Sequence, residues 1–401
     1  MDYGENCRVL PVVKDQNKLA EYYSLGDVFV ICSKKENFPT TCLEAQCCGT
    51  PVAGFDTGGT KETSVTHEDT FVEYGNIAGL KTKVEELLKK DNSGLAKLAQ
   101  SQYSNEHMLQ EYMKVYDRDG RKQRVLLIDV NCKYSSTGKI VYNLFHGLKE
   151  DGREVAVCYG RGDEIQEDGI YKFGLDWETN IHAGLSRITG YNGCFSPVST
   201  RRLIKYIEDF QPDVIHIHEL HAYFVNIKPL LEYIKKKKIK VVWTFHCEYM
   251  YTGKCGHAYD CIKFKNDCGK CPAVHDYPKS LFFDKTQRML DTKKKAMNGL
   301  NLEIVTPSKW LFDRVKMSFL KDVKVTVIHN GIDINIFKER EKYKVKSELK
   351  IPIENKVILS IAPNIMSDSK GGKWVLDLAN IMENEKISFV LIGAKENSDG
   401  F

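Results

Sequence analysis

Short runs of apolar and β-branched residues recur along this chain, and a turn and a helical pattern follow most of them. Near-continuous apolar strands of this kind are typical of parallel sheets that are covered on both faces. Amphipathic helices are predicted between them, so the chain is expected to be α/β, with a doubly wound architecture that is repeated. The predicted strands are residues 28–31, 51–55, 125–130, 155–159, 214–217, 241–244, 325–329, 357–361 and 389–392, and the predicted helices include residues 77–90, 140–148, 200–210 and 374–382.

The length and composition of the chain limit the classes of protein to which it can belong. With 401 residues, 42% of them hydrophobic and 28% charged, it suits two globular domains and neither a disordered segment nor a fibrous repeat. No apolar run reaches the roughly 18 to 20 residues that cross a bilayer, and the first residues lack the pattern of a signal peptide. These features predict a cytoplasmic protein.

The charge of the chain bears on its partners. A net charge of +4 does not by itself indicate nucleic acid, and no nucleic-acid partner is expected. The lysine runs at residues 235–238 and 293–295 have two interpretations. They are either solvated helix ends and loops, or a surface that attracts anionic lipid head groups, which would bring the protein to the inner membrane surface as a peripheral protein.

One polar segment and one incomplete segment mark the domain boundaries. Residues 104–118 are predicted to form a helix, and a polar linker at residues 119–123 precedes the first strand of a new domain. Residues 341–401 contain only about two strands, which cannot bury their own faces. We therefore expect residues 1–118 to supply the strands that are missing.

A carboxylate pair follows the predicted strand at residues 28–31. Glu36 lies in the loop after this strand, and Glu44 lies one to two turns into a helix that begins near Pro39. Both carboxylates are expected at the carboxyl edge of the sheet, where doubly wound sheets bind ligands and where a carboxylate suits ribose hydroxyls. The helix dipole and free amides in its first turn suit a diphosphate. These amides belong to Thr40, Thr41, Cys42 and Leu43.

The sequence around the two glutamates resembles a known family, which matters because their spacing alone is common by chance. The run from Glu36 to Glu44, with the segment at residues 56–62, is similar to the donor domain of family 4 retaining glycosyltransferases of the GT-B fold, of the bacterial surface-polysaccharide type. The resemblance implies that Glu36 contacts the donor sugar and that Glu44 holds the ribose. Gly58 and Gly59 would let the backbone approach the phosphates and the sugar.

The resemblance extends over nearly the whole chain, in an altered order. Residues 122–335 are similar to the acceptor domain of the family, and residues 357–392 to the opening of the donor domain. Joining Phe401 to Met1 restores an uninterrupted donor domain, so the chain is interpreted as a circularly permuted GT-B protein whose two Rossmann-like domains face a cleft. In this interpretation residues 1–118 are the second part of the donor domain with a crossing C-terminal helix, residues 119–123 join the original termini, residues 124–340 are the acceptor domain, and residues 341–401 are the first part of the donor domain.

The resemblance also assigns roles to residues near two other strand ends. Lys370 is the candidate that neutralises the donor diphosphate, because charge accumulates on the phosphate oxygens as the nucleotide leaves. Many relatives carry an arginine where this chain has Pro363 and Asn364, so Lys370, Lys373 or a basic residue of the acceptor domain is expected to supply more of the positive charge, with Asn364 beside the donor. His246 follows a predicted strand and is expected to contact the donor sugar or the acceptor.

Further candidates lie in the acceptor half of the chain. Gly138, in the loop after the first strand, either presents backbone amides to the sugar and phosphates or forms a tight turn. His216, His218, Glu219 and His221 could resemble a metal cluster. Strand-end and acceptor-pocket roles are preferred for them, because the family needs no divalent metal for catalysis.

A cysteine-rich insertion occupies residues 247–271. Its closest pair, Cys268 and Cys271, has two residues between its members in a tight turn, which is a spacing that chelates zinc. Three interpretations stay open: a structural zinc site, one or more disulfides, or uncoordinated thiols. We expect the insertion to shape acceptor specificity and to perform no chemistry. The four candidate zinc ligands are Cys255, Cys261, Cys268 and Cys271.

The function predicted from these features is a retaining, metal-independent transfer of a hexose. The donor would be a UDP- or GDP-linked sugar, and the acceptor a glycan or a lipid-linked saccharide in surface-polysaccharide synthesis. No carboxylate is assigned as a covalent nucleophile, because retention in the family is attributed to front-face attack in which the leaving phosphate assists deprotonation. The alternatives are a sugar-nucleotide-binding module that has lost catalysis and a GT-B epimerase or phosphorylase.

Overall fold

The computed structural model describes residues 6–67, 69–117, 120–383 and 386–394. The chain divides into two compact units. One, called here the split unit, combines residues 1–107 with residues 330–401, and the other, the continuous unit, consists of residues 108–329. The proposed junction of Phe401 with Met1 lies outside the described residues.

Strands and helices alternate through both units. In chain order the strands are β1 (Cys7–Pro11), β2 (Val28–Ile31), β3 (Val52–Phe55), β4 (Phe71–Val72), β5 (Val125–Asp129), β6 (Val155–Tyr159), β7 (Ile170–Lys172), β8 (Val214–Ile217), β9 (Lys240–Thr244), β10 (Leu302–Thr306), β11 (Lys324–Val327), β12 (Lys356–Ile361) and β13 (Ile387–Ala394). The helices are α1 (Gln16–Leu25), α2 (Thr40–Cys47), α3 (Ile77–Lys89), α4 (Leu95–Tyr103), α5 (Asn105–Tyr116), α6 (Ser136–Glu150), α7 (Asp176–Thr189), α8 (Pro197–Phe210), α9 (Ile227–Lys237), α10 (Thr286–Met297), α11 (Lys309–Lys316), α12 (Tyr343–Glu348) and α13 (Gly372–Ile381). None of the helices in the described ranges is both long and apolar enough to cross a membrane.

The split unit contains a six-stranded sheet with the order β1-β13-β12-β2-β3-β4, and its strand pairs are parallel. When its strands are counted from β12, through β13 and then from β1 onward, this order is that of a dinucleotide-binding sheet, 3-2-1-4-5-6. The last two strands of the chain, β12 and β13, are therefore strands 1 and 2 in this numbering, and they lie inside the sheet. This confirms that the end of the chain completes the sheet begun by its first hundred residues, in permuted order.

The continuous unit contains a seven-stranded parallel sheet with the order β11-β10-β9-β8-β5-β6-β7. Counted from β5, its strands follow the same order as the other sheet, with one strand added. Each sheet separates two buried apolar clusters, one on each face. This burial on both faces explains the near-continuous apolar strands, and it confirms the predicted α/β, doubly wound class with two Rossmann-like units.

One boundary between the units differs from the predicted one. Residues 1–118 were predicted to end in a crossing helix, and Met108, Tyr112 and Tyr116 of α5 pack in a core of the continuous unit. Residues up to 340 were assigned to the acceptor half, yet Ile332 and Phe337 pack in a core of the split unit. Apolar side chains at these positions decide which core each segment joins.

Candidate functional site

The loops after β12 and β2 meet at the point where the strand order of the split unit reverses. The chain leaves these two adjacent strands towards opposite sides of the sheet, and this leaves a crevice at their carboxyl ends. Lys370 lies at the end of the loop after β12, and Glu36 lies in the loop after β2. Nζ of Lys370 donates to Oε1 of Glu36 at 2.6 Å, so two residues 334 positions apart form an ion pair at this switch point.

A glycine brings the backbone of a third loop against Glu36. The amide of Gly59 donates to the carbonyl oxygen of Glu36 at 3.0 Å. Gly58 has a φ of +76°, and a Cβ added to it would lie 2.0 Å from the same carbonyl oxygen. Only glycine fits this close approach, so the structure places both predicted glycines directly beside Glu36.

The loop that carries Lys370 is held in a similar way. The amide of Lys34 donates to the carbonyl oxygen of Ser369 at 2.9 Å. Gly371 has a φ of +73°, and an added Cβ would lie 2.1 Å from the carbonyl oxygen of Cys32. Asn364, at the start of the loop, adopts a φ of +54° and caps a turn through its carbonyl group. The backbone on both sides of Lys370 is thus anchored.

Helix α2 places Glu44 in the same unit. Oε2 of Glu44 accepts a hydrogen bond of 2.7 Å from the hydroxyl of the buried Tyr23. Cys42 and Leu43 are fully buried, so only their backbone could face a ligand, and Thr41 is partly exposed. The prediction that the amides of this first turn are all free is wrong for Cys42, whose amide donates to the carbonyl oxygen of Pro39 at 3.1 Å.

The switch point of the continuous unit lies between β5 and β8. Gly138 lies in the first turn of α6, where its amide donates to the side chain of Ser135 at 3.2 Å and its carbonyl oxygen accepts from Lys133. The structure therefore favours the tight-turn interpretation of Gly138 over an amide offered to phosphates. Burial raises the pKa of Asp129, at the end of β5, to about 7, with a further contribution from Glu219.

The predicted histidines of this unit have different environments. His246 follows β9, and its Nε2 lies 2.9 Å from Nδ1 of His218. Burial lowers the pKa of His246 to about 4, so its imidazole is neutral at pH 7. His216 is a core residue, with Nδ1 2.6 Å from the hydroxyl of Tyr116 and Nε2 2.8 Å from that of Thr244. The acceptor-pocket role predicted for His216 is therefore wrong, because both ring nitrogens are occupied inside the core.

Glu219 and His221 lie beside Cys247, a contact that was not predicted from the sequence. Nε2 of His221 lies 3.1 Å from Oε2 of Glu219, and Sγ of Cys247 lies 3.3 Å from the same oxygen. Burial alone would raise the pKa of Glu219, but His221 and the other neighbouring donors hold it below its ordinary value. Within the described residues these three form the only set of at least three metal-capable side chains whose ligand atoms all lie within 4.8 Å of one another.

The sulfur atoms of the four insertion cysteines do not form a set as close as the ligand atoms of Glu219, His221 and Cys247 within the described residues. Cys255 and Cys271 share a hydrogen bond, whereas Sγ of Cys268 accepts from the amide of Gly253 at 3.2 Å. All thirteen cysteines are free thiols. In this arrangement the four thiols do not form the shell of a tetrahedral zinc ion, so a structural zinc here stays a prediction.

Two family models match the sequence. The model described as Glycosyl transferases group 1 matches residues 1–105, and the model described as Glycosyltransferase Family 4 matches residues 137–336. The first match lies in the split unit and the second lies almost wholly in the continuous unit. The donor-type match precedes the acceptor-type match along the chain, which agrees with a permuted order.

Curated relatives match a smaller part of the chain. A protein of Escherichia coli K12 named as a colanic acid biosynthesis glycosyl transferase is 30% identical over 31% of this chain and 32% of its own length. The N-acetyl-alpha-D-glucosaminyl L-malate synthase of Bacillus anthracis is 29% identical over 29% of this chain and 35% of its own. The N,N'-diacetylbacillosaminyl-diphospho-undecaprenol alpha-1,3-N-acetylgalactosaminyltransferase of Campylobacter jejuni is 35% identical over 26% and 29%. The chain thus spans about a third of the length of these relatives.

Proposed function

The chain belongs to glycosyltransferase family 4, and we propose on this basis that it transfers a hexose from a UDP- or GDP-linked sugar to a glycan or a lipid-linked saccharide. Transfer would retain the anomeric configuration and would need no divalent metal. The observation that carries the proposal is the ion pair of Lys370 with Glu36 at the switch point of the split unit. It sets one cation and one carboxylate where doubly wound sheets bind nucleotides.

The chemistry of glycosyl transfer gives the two charges different roles. As the bond between the sugar and the diphosphate breaks, negative charge develops on the phosphate oxygens, and the Lys370 ammonium can compensate for it without a metal ion. Glu36 then leaves its lysine partner and accepts hydrogen bonds from the hydroxyls of the donor sugar. We further propose that Glu44 binds the ribose, with Gly58 and Gly59 close to the phosphates and His246 at the donor sugar or acceptor.

The names of the relatives support the class of acceptor. The Escherichia coli protein is named for colanic acid biosynthesis and the Campylobacter jejuni enzyme for a sugar attached to diphospho-undecaprenol. We propose a comparable saccharide acceptor, free or lipid-linked, for this chain. A peripheral contact with anionic lipids, through the lysine run at residues 235–238, would suit a lipid-linked acceptor.

Substitutions of the ion pair test this proposal. A thermal-shift screen of nucleotide sugars first identifies the donor, because a bound donor stabilises the folded state. We expect Lys370→Ala to weaken binding of the free nucleoside diphosphate in calorimetry and to lower kcat by about 100-fold or more. Glu36→Ala should lower donor turnover by about 100-fold, yet leave diphosphate affinity unchanged or higher, because Lys370 loses an internal competitor.

The matched controls come from another ion pair of the split unit. Lys18 and Glu21 on α1 pair at 2.8 Å, and Lys18 also pairs with Glu348 at 2.7 Å, so Lys18→Ala and Glu21→Ala remove the same charges without touching the Lys370–Glu36 pair. Full turnover in Lys370→Ala or Glu36→Ala would refute the assigned roles. Diphosphate binding that depends on Lys370, without turnover of any donor, would favour the non-catalytic binding module.

A further inference from the structure

We infer that Glu219, His221 and Cys247 form a zinc(II) site at the carboxyl edge of the sheet in the continuous unit. This inference is independent of the proposed transfer reaction, which uses residues of the split unit for the leaving group. It differs from the zinc site predicted for the cysteine-rich insertion, because none of that site's four cysteines takes part.

The fold brings the three side chains together through adjacent parallel strands. Glu219 follows β8 and Cys247 follows β9, and these two strands are paired in the sheet. Their carboxyl ends therefore lie at the same edge. The amide of Glu219 donates to Oδ1 of Asp129 at 3.0 Å, which fixes the backbone that carries both Glu219 and, two residues later, His221.

Two of the three distances between the donor atoms are close to those around a tetrahedral ion. With Zn–N and Zn–O bonds of about 2.0 Å and a Zn–S bond of about 2.3 Å, tetrahedral angles hold N and O about 3.3 Å apart and S and O about 3.5 Å apart. The corresponding separations here are 3.1 Å for His221 to Glu219 and 3.3 Å for Cys247 to Glu219. The third pair, a ring nitrogen of His221 and Sγ of Cys247, lies within 4.8 Å, and tetrahedral angles hold N and S about 3.5 Å apart.

The charge balance of the cluster also favours a cation. The side chain of Glu219 is 8% exposed, and Asp129 beside it is completely buried. Oδ1 of Asp129 accepts the Glu219 amide, but its Oδ2 is buried and has no hydrogen-bond partner among the described residues. A buried carboxyl oxygen without a partner is unfavourable. A divalent cation would compensate for the negative charge of the buried Glu219 carboxylate.

The environment of His221 restrains a possible ligand ring. Tyr249 and Tyr277 pack edge-on against the imidazole, at centroid distances of 5.7 and 6.3 Å. Its Nε2 already points to Glu219, whereas Nδ1 is buried without a partner in the described parts of the chain. Ligation through Nε2 would leave the ring proton on Nδ1, and the aromatic contacts would hold the ring in its present orientation.

The donor set selects the metal. One imidazole nitrogen, one thiolate and one carboxylate oxygen suit zinc, whereas magnesium and calcium prefer oxygen ligands alone. Three protein ligands leave a fourth tetrahedral position, which a water molecule would fill. On binding, Zn²⁺ replaces the proton of the Cys247 thiol, which passes to solvent, and the cross-link would fix the loop after β8 to the loop after β9.

Zinc titration of the full chain tests the site. In a Cys271→Ser background, which disables the cysteine-rich insertion as a competing site, we expect one equivalent of zinc by elemental analysis after loading and desalting. Cys247→Ser and His221→Asn should each raise the zinc Kd at least about 100-fold. Cobalt(II) in the unsubstituted site should show a sulfur-to-metal charge-transfer band that Cys247→Ser abolishes and His221→Asn weakens through lost affinity.

Matched controls separate loss of a ligand from loss of structure. Cys194→Ser removes another partly buried thiol of the continuous unit and should leave the zinc content unchanged. Each variant should keep the far-UV circular dichroism of the parent without metal. Less than half an equivalent in the parent, or zinc retained at parental affinity in folded Cys247→Ser and His221→Asn, would overturn the inference and leave Glu219, His221 and Cys247 as a hydrogen-bonded cluster.

Discussion

Gly58 shows how a residue without a side chain determines the position of a functional one. Because an added Cβ would lie 2.0 Å from the carbonyl oxygen of Glu36, Gly58→Ala must move one of the two loops. Gly94 has a comparable φ of +87° but open space around it, so Gly94→Ala measures the backbone strain alone. We expect a loss of unfolding free energy above about 2 kcal/mol for Gly58→Ala and about 1 kcal/mol for Gly94→Ala.

Denaturant unfolding of the two variants, with donor binding measured in parallel, checks this prediction. Donor affinity should fall in Gly58→Ala only, because the loop that it displaces carries Glu36. Equal losses of stability in the two variants would show that the two loops can move apart at little cost in free energy. The proposed position of Glu36 would then need another explanation.

His182 on α7 should make the continuous unit sensitive to acid. It is fully buried, and its Nδ1 lies 2.8 Å from the hydroxyl of Ser196. Burial lowers the pKa of His182 to about 4, below its ordinary value near 6.5. Between these values the unfolded chain binds a proton that the folded one does not, so this contribution to stability is complete above pH 6.5 and is lost as the pH falls towards 4.

A substitution isolates this contribution to the pH dependence. From pH 7.5 to 4.5 we expect His182→Gln to lose less unfolding free energy than the parent, by up to about 3 kcal/mol. The exposed His107 provides the control, since His107→Gln should leave the slope of the parent unchanged. Parallel pH profiles for His182→Gln and the parent would contradict the prediction.

Sequence patterns identified candidate residues where one segment carried the signal. Glu36 and Glu44 lie in the loop after β2 and in helix α2, and resemblance added Lys370, whose contact with Glu36 only the fold could reveal. The partnership of Cys247 with Glu219 was not predicted, because it depends on which strands are neighbours. Strand order is a property of the whole sheet, and no local spacing encodes it.

At the scale of elements, the cysteine-rich insertion is anchored by a buried ion pair. Glu248 is 1% exposed, and its carboxylate accepts from Arg314 on α11, from the hydroxyl of Tyr251 and from the amide of Ala258. Removing the carboxylate leaves a largely buried guanidinium without its partner, which is strongly unfavourable. The insertion therefore depends on Glu248 for its attachment to the rest of the unit.

We expect Glu248→Ala to lower the unfolding free energy of the continuous unit by about 3 to 5 kcal/mol. Protease cleavage after the lysines of the insertion should also become faster. Asp313→Ala is the control: it breaks the exposed pair with Lys309 on the same α11 and should change stability by less than about 0.5 kcal/mol. Measurement in EDTA excludes any effect of bound metal, and a similar small change for both variants would contradict the anchoring role.

Prediction of elements succeeded for most strands that are buried on both faces, with β10 as an exception, and it also missed β1, β4 and β7. Strand β10 was not predicted because Glu303 interrupts its apolar run, although that carboxylate is satisfied in the sheet by Thr326 and Lys324. Strands β4 and β7 have two and three residues and lie at sheet edges, where no continuous apolar run is required. Helix α6 begins at Ser136, four residues before its predicted start at 140.

For the whole molecule, the permuted order was predictable because the incomplete sheet and the motif order pointed the same way. Two strands at the end of the chain could not bury their faces alone, and the structure places them between β1 and β2. The boundary predicted at residue 340 was less predictable than the strand order. Whether a segment joins one core or the other depends on apolar contacts such as those of Tyr112 and Ile332, which are distant in sequence.

The interleaved sheet of the split unit predicts how fragments of the chain behave. Strands β12 and β13 lie in its centre, and both come from residues 330–401. A fragment of residues 1–107 lacks them, so β1 has no neighbour in the sheet and β2 exposes an edge that β12 normally pairs. We expect this fragment alone to show no cooperative unfolding, because its remaining strands cannot form the buried sheet.

Adding the second fragment of the split unit should restore the sheet. A 1:1 mixture of fragments 1–107 and 330–401 should form a complex in size-exclusion chromatography and gain a cooperative thermal transition, because association rebuilds the six-stranded sheet. The fragment of residues 108–329 is the control, since its seven strands are contiguous and it should fold alone. Substituting the buried Phe389 of β13 by Asp should abolish the complex, because it places a charge in the core. Cooperative folding of fragment 1–107 by itself would contradict the prediction and show that the two halves of the sheet are independent.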